Sequence, residues 1–471
     1  MSVTGGNEVA VVGAGLAGLV TALRLAERGV RVVALEKGSG ERYACNARIS
    51  GGGFHVCFLH VEQDEAALVA AIMQATSGYA KPELAAVVAK DTRTAVRWLK
   101  EKGVQFVKGG GDTWRENTLA PPLAARPGLQ EGRGGDVLIW TLGVALKEAG
   151  GTLLCGARAT TLRMERTRCV GLDMEYEGRP ERMDARAVVL CDGGFQSNHA
   201  LLREFITATP ERLKQRNAGV GNGDALQMAR AVGAQLVGMQ TFYGHLLAQE
   251  AMHDAPLWPY PMVDHVCSAG VVVDATGRRI ADEGMGGVYM VNQLARLADP
   301  LSAIVVYDEA IWNGPGRGHI VPANPHLVEG GARIFQAQDL RSLAGKLGLP
   351  ADALEATTAE YNAALAAGQT ARLTPPRTTT SIKAYPVVQP PFYAFRLCAG
   401  ITFTMGGVAV DGVGRVLNER NEPIGGLYAA GCCTGGLDGG PSAGYVGGLA
   451  KSAAMGLRTA DCLAASLRAQ S

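Results

Sequence analysis

Short, unbroken apolar runs bounded by glycine open the chain. Glu8–Val12 (EVAVV) is the kind of run that a strand buried on both faces makes, and Arg31–Leu35 (RVVAL) repeats it. Between them Leu16, Leu19, Leu23 and Ala26 recur at helical spacing up to Gly29, where a helix can stop. The first forty residues therefore predict a βαβ start. From Glu62 to about Gly103 the pattern is helical and alanine-rich, and Asp136–Gly150 predicts a further helix. Gly151–Cys155, Cys169–Tyr176 and Ala185–Leu190 read as strands of a meander that returns to the main sheet. From about Gly238 to about Thr380 the periodicity weakens, with proline and glycine clusters at Pro256–Pro261 and Asn313–Pro325. That stretch predicts an inserted domain over 238–380, between the two parts of a first domain at 1–237 and 381–471. Strand signals return at Pro391–Phe395, Val408–Val410 and Gly426–Ala430, and a helix closes the chain.

Composition narrows the class. At 471 residues, two or three lobes are expected. Lys and Arg total 45 against 44 Asp and Glu, so a net charge of +1 gives no basic excess for a nucleic-acid partner. Hydrophobic residues at 47% and charged residues at 19% exclude a disordered chain. No apolar run reaches the roughly 18 residues of a membrane span, and the start MSVTGGNEVA shows no signal region. Ten cysteines without a CxxC or metal-ligand spacing are expected as reduced, mostly buried thiols of a cytoplasmic protein, and no metal site is expected. The 63 glycines, about twice the usual share, point to many close backbone approaches.

Some of those glycines have an address. Gly13-Ala14-Gly15-Leu16-Ala17-Gly18 sits between the first strand and the helix, and Glu36 ends the next strand 18 residues after Gly18. Gly13 permits the tight turn, Gly15 admits a pyrophosphate, and Gly18 lets helix and strand pack closely. The helix N-terminus offers free N–H groups, and Glu36 can accept from ribose hydroxyls. A dinucleotide is the expected ligand. The fingerprint alone serves FAD or NAD equally.

Five blocks in order carry a resemblance to the fumarate reductase/succinate dehydrogenase flavoprotein superfamily, in particular its ketosteroid dehydrogenase-like branch. They are Asn46–Gly53 (NARISGGG), Val189–Phe195 (VLCDGGF), Gly221–Asp224 (GNGD), Thr404–Val408 (TMGGV) and Gly426–Gly431 (GLYAAG). The resemblance implies an α/β fold: a Rossmann-like FAD-binding domain with an inserted α+β capping domain, and substrate between them. It implies an FAD-lining set of Gly13, Gly15, Ala17, Gly18, Glu36, Lys37, Asn46, Ser50, Gly51, Gly52, Ala157, Asp192, Gly193, Gly194, Asn222, Asp224, Gly431, Cys432, Gly448 and Leu449. Asn46 stands where related subunits attach FAD through a histidine, so noncovalent FAD is expected.

The resemblance also limits the chemistry. Met239 to His245 keeps the spacing of one substrate histidine of fumarate reductases. The proton-donating arginine, four residues after the family's glutamate, is here Gly287 after Glu283. Ile401-Thr402-Phe403 replace a histidine, and Tyr445 replaces the last arginine. Ketosteroid dehydrogenases carry a tyrosine in that last stretch. The expectation is an FAD-dependent oxidoreductase acting on a CH–CH bond beside a carbonyl, desaturating a cyclic ketone or oxo-acid. Tyr445, His245 and Tyr243 are its expected catalytic residues, in that order. Tyr243 and His245, two apart in a strand, would share a face. Alternatives are a tricarballylate dehydrogenase-like or fumarate reductase-like acid enzyme, and an electron-transfer subunit needing a partner. The partner expected otherwise is a small-molecule substrate and an external electron acceptor of unknown identity. Asp282-Glu283 beside Arg278-Arg279 reads as a solvated or structural charge cluster.

Overall fold

A computed structural model of the chain describes residues 8–122, 131–253, 261–318, 321–379 and 382–469. The chain start and most of the Pro256–Pro261 cluster lie outside the described residues, as does the 380/381 limit. In chain order, the elements that position the site begin with β1 (Val9–Val12), α1 (Leu16–Glu27) and β2 (Val32–Glu36). Next come α2 (Glu65–Ala75), α3 (Pro82–Glu101) and α4 (Gly134–Glu148). The helical stretch over 62–103 is thus broken in two. Thr76 donates its hydroxyl to Ile72 O and accepts from Ala80 N–H, and Pro82 starts the second helix.

β3 (Thr152–Cys155), β4 (Ala157–Glu165), β5 (Arg168–Tyr176), β6 (Arg179–Asp184) and β7 (Ala187–Leu190) follow. β4 is a strand the hydrophobic pattern did not announce, because its outer face is exposed and polar. Then come β8 (Leu213–Gln215), α5 (Asp224–Ala231), β9 (Phe242–Ala248), α6 (Asp264–Ala269), β10 (Val271–Val273), α7 (Gly287–Ala295), β11 (Ile304–Asp308) and β12 (Phe335–Ala337). The last elements are β13 (Phe392–Thr404), β14 (Arg415–Leu417), β15 (Pro423–Ala429) and α8 (Gly448–Ala469).

Among the described residues, a nine-stranded sheet runs β3-β2-β1-β7-β15-β5-β4, with β14 on β15 and β6 on β5. β1 is parallel to both β2 and β7, and every residue of these three strands is buried. Burial on both faces is why their sequences are continuous apolar runs. β4, β5 and β6 pair antiparallel as the meander. A six-stranded sheet runs β8-β13-β11-β10, with β9 and β12 also on β13. This second sheet joins strands at 213–215 and 392–404 to those within the 238–380 stretch. β13, its longest strand, is almost wholly buried.

Candidate active site

The cofactor side is built by glycines of separate blocks meeting one another. Gly13 has φ +92°, and a Cβ there would lie 2.6 Å from Asp192 Cα. A Cβ on Gly18 would lie 1.8 Å from Gly13 O, so only glycine lets α1 start this close to the turn. A Cβ on Gly194 would reach 2.2 Å from Thr404 Oγ1, and one on Gly431 would come 2.6 Å from the Ala17 Cβ. At Gly407 a Cβ would lie 2.1 Å from Cys433 O. Segments spread from residue 13 to residue 433 therefore converge on one place.

Other glycines there face open space. A Cβ on Gly15, Gly51 or Gly193 would meet nothing within 4 Å. Beside them Glu36 accepts from Ala14 N–H at 3.1 Å and Gly38 N–H at 2.8 Å. Burial raises its pKa in spite of those two donors. Lys37 Nζ pairs with Asp224 at 2.9 Å, and Arg158 joins the same carboxylate at 2.7 Å. Gly156 N–H donates to Gly38 O, which sets buried Ala157 against this loop. Asp192 Oδ2 accepts from Ala225 N–H at the start of α5, whereas its buried Oδ1 has no partner. Burial pushes that carboxyl up to about 7. Asn222 O accepts from Asn198, and Gly223 turns left-handed before Asp224. Asn46 bridges two segments, donating to Thr402 O and accepting from Ala218 N–H, each at 2.9 Å. Ser50 donates to Ala47 O, and Gly52 O accepts from Leu119 N–H. Cys432 Sγ lies 3.9 Å from Ser452 Oγ, and Leu449 packs against the core in the first turn of α8.

An open glycine-lined floor, a helix N-terminus and an orphaned carboxylate oxygen fit a dinucleotide. Sequence reasoning missed the support beneath it. Buried Arg48 holds Asp136 at the start of α4 and Tyr43 O, while Tyr43 donates to Ala14 O at 2.8 Å.

A second wall is made of side chains. Tyr243 and Tyr445 stack with centroids 4.0 Å apart. Phe403 lies 5.2 Å from Tyr243, while His55 and Phe58 flank Tyr445 at 5.6 and 5.8 Å. Tyr445 Oη accepts from Gly448 N–H at 3.1 Å, which leaves its own hydrogen to donate. Tyr243 Oη is 3.0 Å from His245 Nε2 despite a register shift after Tyr243 in β9. Burial pushes the Tyr243 phenol up to about 12, with Arg216 opposing, and drives Tyr445 well above the ordinary tyrosine range. Burial holds His245 below the usual histidine value, with Asp264 opposing.

The Gly-rich loop that carries Tyr445 is pinned from beneath. Asp438 Oδ1 accepts from Val446 N–H at 2.8 Å, and Oδ2 meets Lys451 Nζ at 2.5 Å in a pair shut off from solvent. Burial works against the lysine charge, yet Asp438 holds its pKa above the ordinary value. Arg216, just after β8, and Asp264, at the start of α6, are both buried, join the wall and were not singled out from sequence. Arg279 and Glu283 are buried and paired, so that charge cluster is structural and not solvated. No cluster of His, Cys, Asp or Glu able to hold a metal occurs among the described residues.

Comparison with known proteins settles the family. A family model described as FAD binding domain matches residues 8–444. The chain belongs to that family. It binds FAD and is an FAD-dependent oxidoreductase. It is 26% identical over 468 residues to the vinyl phenol reductase of Lactiplantibacillus plantarum, covering 92% of this chain and 90% of the relative. It is 27% identical over 386 residues to the NADH:acrylate oxidoreductase of Vibrio harveyi, which spans 77% of this chain but 35% of that protein. In fold it is similar to the 3-ketosteroid-Δ4-(5α)-dehydrogenase of Rhodococcus jostii RHA1, with a TM-score of 0.73, 22% identity and 98% of each chain covered. Among the described residues no helix is long and apolar enough to cross a membrane.

Proposed function

We propose that the nine-stranded sheet is a Rossmann-like FAD-binding unit, capped by an α+β unit built on the six-stranded sheet. The open floor of Gly15, Gly51 and Gly193 would receive FAD, with Glu36 at its ribose and Asp192 Oδ1 finding a partner on the cofactor. Asn46 has no nucleophile, and its amide is already engaged on both sides, which supports noncovalent FAD. All ten cysteines are free, which supports a reducing compartment.

The reaction proposed is hydrogen removal from a CH–CH unit beside a carbonyl, on a cyclic ketone or oxo-acid. Bound FAD supplies the hydride acceptor, or the donor in the reverse direction. The observation that carries this reading is the oriented phenol of Tyr445, fixed by Gly448 N–H and stacked on Tyr243. A phenol hydrogen aimed at a carbonyl oxygen stabilises the enolate-like charge that develops as the α-hydrogen leaves. His245 and Tyr243 stand beside it for the proton.

A second reading keeps the bond and changes the handle. Arg216 lies close enough to Tyr243 and His245 to influence both, and one guanidinium can hold one carboxylate. An unsaturated monocarboxylic acid would suit it, and the acrylate oxidoreductase is a relative of that kind by name. One experiment separates the readings. FAD-loaded protein is mixed anaerobically with cyclic ketones, oxo-acids and saturated mono- and dicarboxylates, and loss of the yellow flavin absorbance is followed. Bleaching by ketones is expected. Bleaching confined to carboxylic acids transfers the carbonyl role to Arg216, and a chain inert to every class until a protein partner is added would be an electron-transfer subunit.

A further inference from the structure

The side chain that supports His245 comes from another element. His245 Nδ1 is 2.8 Å from Asp264 Oδ2, and Asp264 Oδ1 accepts from Leu246 N–H at 3.1 Å. Asp264 opens α6, is 6% exposed, and is therefore tied to the strand that carries the histidine. A carboxylate can only accept, so the imidazole proton sits on Nδ1 and the lone pair on Nε2. Tyr243 O–H then donates to Nε2 across 3.0 Å.

Gly287 makes room for this arrangement. A Cβ there would lie 1.9 Å from Asp264 Oδ1 and 2.4 Å from its Cγ, so no side chain can start at residue 287 while the carboxylate occupies that place. This is the position where the resemblance puts a proton-donating arginine in fumarate reductases. The volume at the base of that missing side chain is filled by a carboxylate aimed at a histidine.

We propose that Asp264 is a positioning residue that fixes His245 as the tautomer able to take a proton from Tyr243, and that Tyr243–His245–Asp264 carries the substrate's α-proton. The inference rests on the CH–CH reading above. In the direction of desaturation the α-C–H bond breaks and its proton passes to Tyr243 Oη, while Tyr243's own proton passes to His245 Nε2. The electron pair left on the α-carbon forms the new double bond as hydride leaves the neighbouring carbon for bound FAD. The substrate loses two hydrogens and two electrons in all, and the proton on His245 is released to solvent. Reduction runs the same transfers backward. Burial supports the division of labour: it keeps the phenol from losing its proton unaided, and it keeps the imidazole neutral and able to accept one. The logic is that of a serine–histidine–aspartate triad with a phenol in the serine's place.

The test is Asp264→Asn in the full FAD-loaded chain. Asparagine fills the same space, and its carbonyl can still accept Leu246 N–H. Its amide, however, presents a hydrogen to Nδ1, which moves the imidazole proton to Nε2 and blocks acceptance from Tyr243. Nitrogen NMR of histidine-labelled holoprotein reads the tautomer without any substrate, and stopped-flow flavin reduction by 4-oxocyclohexanecarboxylate or another bleaching member of the panel reads the rate. The wild type is expected to carry its proton on Nδ1. The variant is expected to carry it on Nε2 and to lose about 100-fold or more in limiting rate, with half-saturation moved less than about threefold and the flavin spectrum kept. Gly287→Ala, which displaces the carboxylate, should lower the limiting rate in the same way. A wild-type proton on Nε2, or an Asn variant within about threefold of wild-type rate, overturns the proposal. A wild type that no panel member bleaches overturns the CH–CH reading instead, and the tautomer measurement still decides what Asp264 does.

Discussion

The cofactor floor and the substrate wall are built by different means. The floor is backbone: glycines of distant blocks lie against one another, and those facing the ligand leave open space. The wall is side chain: Tyr243, His245, Asp264, Arg216, Phe403 and Tyr445 come from β9, α6, the end of β8, β13 and the loop before α8. A backbone floor admits only glycine wherever a Cβ would clash. A wall of side chains can be changed one residue at a time without moving the backbone.

The largest expected effect lies where the two regions are joined. Asp438→Ala leaves Lys451 charged and buried without its partner, and removing one member of a buried pair costs about 3–5 kcal/mol. Chemical denaturation should show that loss, together with a disordered Tyr445 loop and slower flavin reduction. A loss under about 1 kcal/mol, the ceiling for an exposed pair, would mean that the floor and wall do not depend on this pin.

A smaller effect sharpens the contrast. Gly15→Ala places its methyl in open space, so the apoprotein should fold with unchanged stability while FAD binds at least about tenfold more weakly, some 1.4 kcal/mol. Fluorescence titration of apoprotein with FAD measures this. Unchanged affinity would show that the open space at Gly15 is not the cofactor's. Gly18→Ala differs in kind, because its methyl would strike Gly13 O, and apoprotein stability itself should fall.

A pH slope tests the orphaned carboxylate of the floor. Asp192 has its carboxyl pushed up to about 7 by burial. Between the ordinary aspartate value and pH 7 the folded chain holds a proton that the unfolded chain has released, so apoprotein stability should fall as pH rises through that window. Glu36, raised for the same reason, acts in the same direction. Asp192→Asn should flatten the slope measured by denaturation at pH 5 and pH 8. A slope that the substitution leaves unchanged would remove Asp192 as its source.

These regions also differ in how far the sequence discloses them. The floor was legible because its cause is local: Gly13, Gly15 and Gly18 fall between a buried strand and a helix, and each glycine block announces its own turn. Tyr445 is singled out through the resemblance, from its place in a Gly-rich stretch near the chain end. Asp264 was not, since 19 residues separate it from His245 and a helix start, not a motif, brings it there. Arg216 likewise follows a three-residue strand whose pairing with β13 could not be anticipated. The sheet that β13 joins is not legible either, because a doubly buried strand looks alike in any sheet.

The proposed reaction needs the Tyr445 hydroxyl to act at a carbonyl. Tyr445→Phe keeps the stack on Tyr243 and the packing against Phe403, and removes only the oxygen that Gly448 N–H holds in place. Stopped-flow reduction of the bound flavin by a substrate that bleaches the wild type tests it most directly. An unchanged flavin spectrum and a rate lower by about 10²–10⁴-fold are expected. A change under about threefold would contradict it and leave Tyr445 as an aromatic lid.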